Sequence, residues 1–463
     1  MPNLPSEFIA VMKKQLGEQY DAFEESLQQT VPTSVRVNAL KNAQHHLDFD
    51  KKAKIGWHTE GYYLTERPVF TLDPAFHGGA YYVQEAGSMF IAEALTQVLD
   101  LDKDHTVLDL CAAPGGKTTL LTALFTPDSL ILANEVIRSR VEVLKENVLK
   151  WGRANVYVSN HDSEDFAGLA GFFDVILIDA PCSGEGLFRK DPDAMKEWSE
   201  DAVQSCALRQ KRILNNAARL VKPNGIMLYS TCTYNDFENE NNSQWFAQTH
   251  GFEPVKINLN KDWRITEKDF GYQFYPHKTI SEGFYLSILR KNKDSETLKI
   301  ETNSFKKTTL KSGNVALPKK QVDLASKWLQ SPDKFDFYQK PNGVIFITLK
   351  KHAAYITLIN NVLHKKSSGL EIGSFKGQDF IPDHDLALSL ERSEATPSVF
   401  LTKNQALAFL KKDPLELPDD APQGWVLACY NGVGIGWIKV LKNRVNNYLP
   451  KDFRIRMDLP KDN

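Results

Sequence analysis

Cysteine is scarce in this chain, and its few cysteines stand far apart. The 463 residues include five cysteines, at positions 111, 182, 206, 232 and 429. An odd number at wide spacing suits neither a disulfide framework nor a CxxC zinc site. We therefore predict reduced thiols and no bound metal.

Long apolar runs and a strong charge of one sign are missing as well. No uninterrupted apolar stretch approaches the length that spans a bilayer, and the N-terminal residues MPNLPSEF lack the basic and apolar regions of a signal peptide. The formal net charge is -2, so any affinity for nucleic acid must come from local basic patches. We expect a globular, cytoplasmic, monomeric protein without a membrane partner.

The glycine loop near residue 115 lacks the spacing of two common phosphate-binding motifs. A P-loop separates its two glycines by four residues, whereas Gly115 and Gly116 are adjacent. A dinucleotide fingerprint needs three spaced glycines, which are absent here. From the glycines alone, a plain strand-to-helix turn and a ligand loop are equally good interpretations.

Strands and helices alternate regularly around this loop. The predicted strands are 107–110, 130–135, 155–159, 173–179, 225–231, 253–257 and 283–289, and the predicted helices begin near Lys117 and span 137–151, 201–220 and 236–249. Several of these strands are apolar on both faces, which is typical of a parallel sheet covered by helices. The pattern predicts an α/β fold with a doubly wound, Rossmann-like sheet.

The composition changes on both sides of this sheet. Two amphipathic helices within 5–29 and an alternating strand at 34–41 predict a small α/β domain, and 291–320 is polar and aperiodic like a linker. Short strand candidates later in the chain indicate a β-rich module. We predict an N-terminal domain over 1–75, the central domain over 76–290, a linker over 291–320, an α/β module over 321–390 and a β-rich module over 391–463.

Polar side chains follow the predicted parallel strands. Glu135 ends the second strand and Asp162 follows the third, while Asp179 ends the fourth. Ligands of open α/β sheets bind at the carboxyl ends of the strands, and a carboxylate in the place of Glu135 is suited to ribose hydroxyls. Each acid alone could be a helix cap, but several around one glycine loop predict a nucleoside-binding site, with Asp162 near the base.

Two cysteines follow adjacent strands of the same predicted sheet. Cys182 comes three residues after Asp179, and Cys232 follows Thr231 at the end of the fifth strand. A lone cysteine is most often a small buried apolar residue. Two thiols projecting into one crevice indicate nucleophilic chemistry instead.

These motifs carry a family resemblance. DLCAAPGGK at 109–117, DAPCSGEG at 179–186 and STCTY at 230–234 resemble the cofactor and catalytic motifs of the Sun-related RNA cytosine-C5 methyltransferases. RVNALK at 36–41 resembles the N-terminal motif of that family. GIGWIK at 434–439 and NYLP at 447–450 are similar to the C-terminal extension of RsmF-type 16S ribosomal RNA enzymes, although 445–447 is less basic here.

The resemblance implies a class I methyltransferase fold, S-adenosylmethionine as cofactor and a PUA-like C-terminal module. Glu135 would bind the ribose of the cofactor and Asp162 its adenine region. The remaining cofactor residues would be Cys111, Ala112, Ala113, Pro114, Gly115, Gly116, Lys117, Arg140 and Asp179. Cys232 would attack cytosine C6, Asp179 would face the N3/N4 edge of the base, and Cys182 would help to break down the covalent intermediate.

RNA contacts are expected at both ends of the chain. The N-terminal candidates are Arg36 and Asn38, and the tail candidates are Lys439, Lys442, Arg444, Lys451, Arg454 and Arg456. Tyr448 and Phe453 lie among these tail charges, which favours phosphate contacts over the alternative of a solvated basic face.

The expected partner is 16S ribosomal RNA or the small ribosomal subunit. Three alternatives stay open: the same chemistry on transfer RNA, a catalytically idle RNA-binding assembly factor, and a DNA cytosine methyltransferase. The DNA enzymes use the proline-linked cysteine as nucleophile, whereas this chain has the Thr-Cys motif as well. Intact Cys182, Cys232 and Asp179 count against an idle factor.

Overall fold

The N-terminal helices pack against the central domain. The structure, a computed structural model, describes residues 4–41, 47–294, 313–367, 369–418 and 420–458. Helices α1 (Ser6–Leu16) and α2 (Tyr20–Ser26) form where the helical spacing of apolar residues predicts them. Their buried side chains share one core with Phe188, Trp198, Tyr234 and Tyr275. The helices therefore cover the segments that flank the two cysteine loops.

A small antiparallel sheet follows these helices. It comprises β1 (Ser34–Val37), β2 (Lys51–Lys54), β3 (Gly61–Leu64) and, after α3 (Pro74–His77), β4 (Tyr81–Val83). The strand order is β2-β3-β1-β4. Since β4 pairs with β1, the boundary predicted at residue 75 falls inside this unit.

The central domain contains the predicted doubly wound sheet. Its elements are α4 (Phe90–Val98), β5 (Thr106–Asp109), α5 (Gly116–Leu124), β6 (Leu130–Asn134), α6 (Arg138–Trp151), β7 (Val156–Ser159), β8 (Phe173–Asp179), α7 (Pro192–Glu197), α8 (Glu200–Ala218), β9 (Val221–Thr231), α9 (Glu240–His250), β10 (Phe252–Pro254), β11 (Thr266–Glu267), β12 (Tyr272–Phe274) and β13 (Phe284–Lys291). The strand order is β11-β12-β13-β9-β8-β5-β6-β7, with β10 also beside β13. Strands β5 to β9 are parallel, and β13 runs antiparallel to β9.

Each face of this sheet is covered by its own apolar core. Val107 and Leu177 lie in one cluster, while Leu108 and Ile176 lie in the other, because successive side chains of a strand point to opposite faces. The strand order reverses between β5 and β8, which is the point where ligands bind in such sheets. The predicted fold class is confirmed. Among the described residues, no helix is long and apolar enough to cross a bilayer.

Two further sheets follow. Their elements are β14 (Val315–Ala316), α10 (Lys319–Ala325), β15 (Phe335–Gln339), β16 (Val344–Leu349), α11 (Ala353–Val362), β17 (Leu370–Lys376), β18 (Asp379–Pro382), α12 (His384–Leu388), β19 (Ser398–Phe400), α13 (Lys403–Lys411), β20 (Gly424–Tyr430), β21 (Val433–Leu441) and β22 (Arg444–Asn447). Strands β14 to β18 form an antiparallel sheet in chain order, and β19 to β22 form a second, in which β19 is parallel to β20. Most of the predicted linker, 295–312, lies outside the described residues.

The last sheet shares its core with the N-terminal sheet. Val35 and Val37 of β1 belong to the same buried cluster as Phe409 of α13 and Ile438 of β21. The β14–β18 sheet is joined to the last sheet in turn, through a cluster that includes Trp437. The two ends of the chain therefore form one packed body.

The carboxyl end of α6 connects three parts of the chain. Lys41 Nζ donates hydrogen bonds to the carbonyls of Gly78, Lys150 and Leu388, at 2.8, 2.7 and 2.6 Å. Asn38 Nδ2 donates to the Trp151 carbonyl at 3.1 Å. The last carbonyls of a helix have no partner within it, so these side chains satisfy groups that would otherwise be buried and unpaired.

The prediction that Arg36 and Asn38 contact RNA is wrong. Arg36 is 1% exposed and Asn38 is fully buried. The Arg36 guanidinium donates to Gln84 Oε1 at 2.8 Å and to Thr119 Oγ1 at 2.7 Å, and it stacks 4.2 Å from the Trp151 ring. Burial lowers its pKa to about 9. Both side chains are used to attach β1 to the central domain, so neither can reach a phosphate.

We predict that Lys41→Met destabilises the protein by about 3 kcal/mol, because three buried carbonyls lose their donor. Urea unfolding of the purified protein measures this. Lys52→Met is the matched control, since Lys52 lies on β2, whose residues are all exposed. Equal losses in the two variants would show that the Lys41 hydrogen bonds contribute nothing to stability.

Candidate active site

The glycine loop lies between β5 and α5. Gly115 has φ +110°, a conformation that a side chain would strain, and a Cβ on Gly116 would lie 3.1 Å from the Tyr82 ring. The backbone N–H of Ala112 donates to the Asn134 carbonyl at 2.8 Å. This bond fixes the loop against the end of β6, so its backbone is ordered at the switch point of the sheet.

Asp109 lies beneath this loop and is fully buried. Its Oδ2 accepts a hydrogen bond from Thr118 Oγ1 at 2.6 Å, whereas its buried Oδ1 has no partner among the described residues. Burial raises the pKa of Asp109 to about 7. An unpaired carboxylate oxygen in such a place favours the binding of a ligand that supplies a hydrogen-bond donor or a positive charge.

Asp179 forms an ion pair at the end of β8. Its Oδ2 lies 2.7 Å from Lys117 Nζ, and its Oδ1 accepts a hydrogen bond from Ser230 Oγ at 2.9 Å. The side chain of Asp179 keeps a third of its surface exposed, so it can still meet a ligand. Burial lowers the pKa of Lys117, but the hydrogen bond and charge of Asp179, together with Cys232 and Asp109, outweigh it and the net pKa is raised.

The two strand-end cysteines are in contact. Cys182 Sγ lies 3.1 Å from Cys232 Sγ, and the Cys232 backbone N–H points at Cys182 Sγ from 3.4 Å. The hydrogen bond to Cys232 and burial raise the pKa of Cys182 well above its usual value of 9.0. Cys182 therefore stays a protonated thiol, and it can donate its hydrogen bond to the sulfur of Cys232.

Cys111 is not equivalent to these two thiols. Burial raises its pKa far above the usual value of 9.0, and the negative charges of Asp109 and Asp179 add to that effect. A thiol in this environment does not ionise. Its place in the loop is that of a small packing residue.

Glu135 and Arg140 form a pair at the end of β6. Glu135 is 3% exposed, and its Oε1 accepts a hydrogen bond from the Ile137 N–H at 2.8 Å. Arg140 Nη1 lies 3.5 Å from Glu135 Oε2, and Nη2 donates to the Ala113 carbonyl at 2.6 Å. Arg140 thus joins the acid to the glycine loop.

Asp162 is the outermost of the predicted acids. It caps the 3-10 helix after β7, and Arg212 of α8 donates to both of its oxygens, at 2.8 and 2.9 Å. The hydrogen bonds from Arg212 lower the pKa of Asp162 despite its partial burial. The structure places it at the rim of the crevice, beyond Glu135 and away from the thiols.

Two buried glutamates, Glu185 and Glu238, hold the cysteine loops, and sequence reasoning missed both. Glu185 accepts hydrogen bonds from the backbone of Tyr234 and Asn235, at 2.8 and 3.0 Å. Glu238 accepts from the Ser183 N–H at 2.9 Å, next to Cys182. Burial raises the pKa of Glu238. Glu185 lies within the DAPCSGEG motif, which was its only signal, and Glu238 had none.

The basic tail is mostly solvent-exposed. Lys442, Arg444, Lys451, Arg454 and Arg456 are exposed, and Lys439 lies half-buried with its Nζ 5.2 Å from the Trp425 ring. The Trp425 ring also contacts Tyr448, which is 42% exposed. The structure therefore places one basic side chain of the tail, Lys439, against the aromatic pair Trp425 and Tyr448.

The fold and these motifs define a methyltransferase with a Rossmann-like sheet. The family model of the 16S rRNA methyltransferase RsmB/F matches residues 96–290, that of the N-terminal domain of 16S rRNA methyltransferase RsmF matches 4–86, and that of the methyltransferase RsmF PUA domain matches 396–455. The predicted resemblance is confirmed, and the chain belongs to the ribosomal RNA small subunit methyltransferase F family.

Individual relatives agree with this assignment. The chain is 30% identical to ribosomal RNA small subunit methyltransferase F of Aliivibrio salmonicida over 97% of both chains, and 32% identical to that of Vibrio cholerae over 97% of both. The crystal structure of a methyltransferase homologue from Pyrococcus horikoshii superposes with a TM-score of 0.53 at 29% identity, covering 62% of this chain and 95% of that one.

The raised pKa of Asp109 makes the stability of the cofactor-free protein depend on pH. The folded state holds a proton up to about pH 7, whereas an unfolded aspartate releases it near 3.8. The protonated Asp109 therefore contributes its full stabilisation below about pH 3.8, and this stabilisation is lost as the pH rises through about 7. Relative to the parent, Asp109→Asn should gain about 2–3 kcal/mol in free energy of unfolding between about pH 5 and pH 8.

Denaturant unfolding at several pH values measures this difference. Asp102→Asn, which removes an exposed acid from the preceding loop, is the control and should follow the parent at every pH. A constant offset between Asp109→Asn and the parent across the range would show that Asp109 is ionised in the folded protein.

Proposed function

We propose that this chain methylates C5 of a cytosine in 16S ribosomal RNA, in the cytoplasm, with S-adenosylmethionine as cofactor. The observation that carries the proposal is the Cys182–Cys232 thiol pair, 3.1 Å apart beside the Lys117–Asp179 ion pair. The names of the relatives support ribosomal RNA of the small subunit as the substrate. The PUA match supports an RNA-binding role for the C-terminal module.

Cys232 is the nucleophile in this proposal. The high pKa of Cys182 keeps that thiol protonated, so its S–H can donate a hydrogen bond to the Cys232 sulfur, 3.1 Å away. The interaction with Cys232 is among the causes that raise the pKa of Lys117, so the Lys117 ammonium lies within electrostatic reach of that sulfur. A sulfur with a fixed donor and a nearby cation is suited to nucleophilic attack.

The reaction begins with a bond between Cys232 Sγ and cytosine C6. The electron pair of the C5–C6 double bond moves to C5, which becomes nucleophilic enough to accept the methyl group, while Asp179 holds the protonated or hydrogen-bonded N3/N4 edge of the base. The C5 proton then passes to a water molecule, the C5–C6 double bond re-forms and the Cys232 thiolate leaves. Cys182, in contact with that sulfur, assists the elimination by donating a hydrogen bond to the leaving thiolate.

The residues around the glycine loop fit the cofactor. Buried Asp109 Oδ1 lacks a partner in the described part of the chain, and Gly115 and Gly116 let the loop above it pack closely against Asn147 and Tyr82. In our proposal, residues 111–117 and Arg140 hold the methionine part, Glu135 the ribose and Asp162 the adenine region. When bound, S-adenosylmethionine supplies the methyl group.

The target base has to leave its stack. Cys232 and Asp179 lie in a crevice at the carboxyl ends of β8 and β9, where a base paired within a duplex cannot reach them. Unstacking is cheapest in single-stranded or loop RNA. We therefore propose an open region of the ribosomal RNA as the substrate. The exposed tail, and not Arg36 or Asn38, supplies distant phosphate contacts.

The rival function is an RNA-binding assembly factor without catalysis. The intact thiol pair and the buried glutamates that hold its loops count against it, because binding alone requires neither. Bisulfite sequencing of 16S ribosomal RNA, from cells with and without the gene, tests the proposal. A cytosine protected only in cells that carry the gene is the expected result, and identical profiles would overturn it.

Replacing Cys232 and Cys182 one at a time by alanine distinguishes the roles of the two residues. Cys232→Ala should abolish methylation and form no covalent RNA adduct, because no thiolate remains to attack C6. Cys182→Ala should still form the adduct and release it slowly, so a protein–RNA complex should persist on a denaturing gel.

Cys206→Ala is the matched control for these variants, since Cys206 lies on α8, outside the thiol pair. It should methylate RNA like the parent. Adduct accumulation in Cys232→Ala together with an adduct-free Cys182→Ala would reverse the two assignments.

Neutralising the tail should weaken RNA binding and flatten its salt dependence. Removing three cations, with Lys442→Gln, Arg444→Gln and Arg454→Gln, should lower the slope of log affinity against log salt by about 2 for single-stranded RNA. Fluorescence anisotropy with a labelled RNA measures the slope. An unchanged slope would show that the tail is only a solvated face.

Point substitutions are the right tool for this test. Removing the residues after 390 would expose the core that α13 and β21 share with β1. It would therefore also disturb the attachment of β1 to the central domain.

A further inference from the structure

A short segment between α11 and β17 extends the central sheet beyond β7. Lys366 pairs with Ser159 as an antiparallel bridge. The Ser367 N–H donates to the Val158 carbonyl at 2.7 Å, and the Asn160 N–H donates to the Lys365 carbonyl at 2.9 Å. The segment is therefore fixed as an edge strand. Its side chains lie beside the amino-terminal half of α6.

This edge strand and α6 enclose a cleft of about 420 Å³. Ligand sites commonly measure roughly 300–1,000 Å³ but are lined mainly by apolar side chains. The charged residues of this cleft are four cations and one acid, and four uncharged residues complete its lining: Arg138, Lys145, Lys365, Lys366, Glu142, Val141, Val158, Ser159 and Asn160. Glu142 is already paired with Lys145 at 2.8 Å. The excess of positive charge thus suits an anion.

Three of these cations have no counter-ion. Within the described part of the chain, no carboxylate forms a salt bridge with Arg138, Lys365 or Lys366. Lys366 is half-buried, and burial lowers its pKa to about 8. Keeping several like charges together without an anion costs free energy, and a bound anion would offset that cost.

The cleft is separate from the proposed cofactor site. Asn160 lies between them, and its side-chain amide donates to the carbonyls of Glu135 and Val136, at 2.6 and 3.0 Å. Along the sheet, β7 and β9 are four strand spacings apart, which corresponds to about 19 Å. An RNA strand that delivers a base to Cys232 therefore passes within a few nucleotides of the cleft.

We propose that this cleft binds a backbone phosphate of the substrate RNA. The inference rests on the proposed function for the identity of the RNA, but the cations, the cavity and the missing counter-ions are independent of the cysteine chemistry. The cleft would position RNA on the far side of the cofactor from the reactive thiol. It is distinct from the exposed C-terminal tail.

The test is RNA binding by the double variant Lys365→Gln/Lys366→Gln, measured without cofactor at several salt concentrations. Loss of the two cations that hold this phosphate should weaken binding several-fold and lower the salt slope by about 0.7 for single-stranded RNA. Lys103→Gln is the control, because Lys103 is exposed in the loop at the amino end of β5, whereas the cleft borders the carboxyl end of β7. The control should bind RNA like the parent.

A second measurement uses the unmodified protein. Acetylation of lysines, read by mass spectrometry, should be slowed at Lys365 and Lys366 by RNA and unchanged at Lys103. Protection by inorganic phosphate at matched ionic strength, without protection by RNA, would assign the cleft to a small phosphate compound and overturn the proposal. So would unchanged RNA affinity and slope in the double variant.

These outcomes separate the cleft from the reaction. If cytosine methylation is absent but RNA still protects the two lysines, the proposed function fails and the cleft stands. If methylation occurs and the lysines are not protected, the cleft fails alone. Loss of S-adenosylmethionine binding in the double variant, measured by calorimetry, would also overturn the proposal, since it would make the lysines part of the cofactor site.

Discussion

The structure depends on the hydrogen bonds that the last backbone carbonyls of helix α6 accept. Its last carbonyls accept hydrogen bonds from Lys41 and Asn38 of the N-terminal segment, and the Leu390 N–H donates to the Gly152 carbonyl at 2.8 Å. Because buried carbonyls are costly when unpaired, α6 holds both ends of the chain. Its amino end carries Arg140, which contacts Glu135 and the glycine loop. A single helix therefore links the domain interfaces to the candidate site.

The central sheet could be predicted because its signals are local. Strands such as 173–179 are apolar on both faces, and the spacing of the following helices allows a parallel order. The carboxyl ends of parallel strands share one edge, so Asp179, Cys182 and Cys232 had to lie close together. The family motifs then supplied chemical roles that position alone did not.

The burial and the partners of several polar side chains could not be predicted from the sequence. Arg36 alternates with two valines, which predicts a solvated face, yet its partners Gln84 and Thr119 lie far along the chain. The same holds for Glu238 and Lys41, whose burial depends on acceptors or donors from distant segments. Sequence periodicity reports which face of an element is apolar, whereas these residues are polar groups enclosed by segments that lie far apart in the sequence.

The core shared by β1, α13 and β21 has a consequence for synthesis. Val35 and Val37 need side chains from beyond residue 398 to complete their packing. Translation delivers those side chains long after β1, whereas domains generally fold in the order in which they emerge. The apolar face of the N-terminal sheet thus stays uncovered until α13 and β21 have been made. The N-terminal sheet therefore cannot complete its packing on the ribosome as an independent early unit.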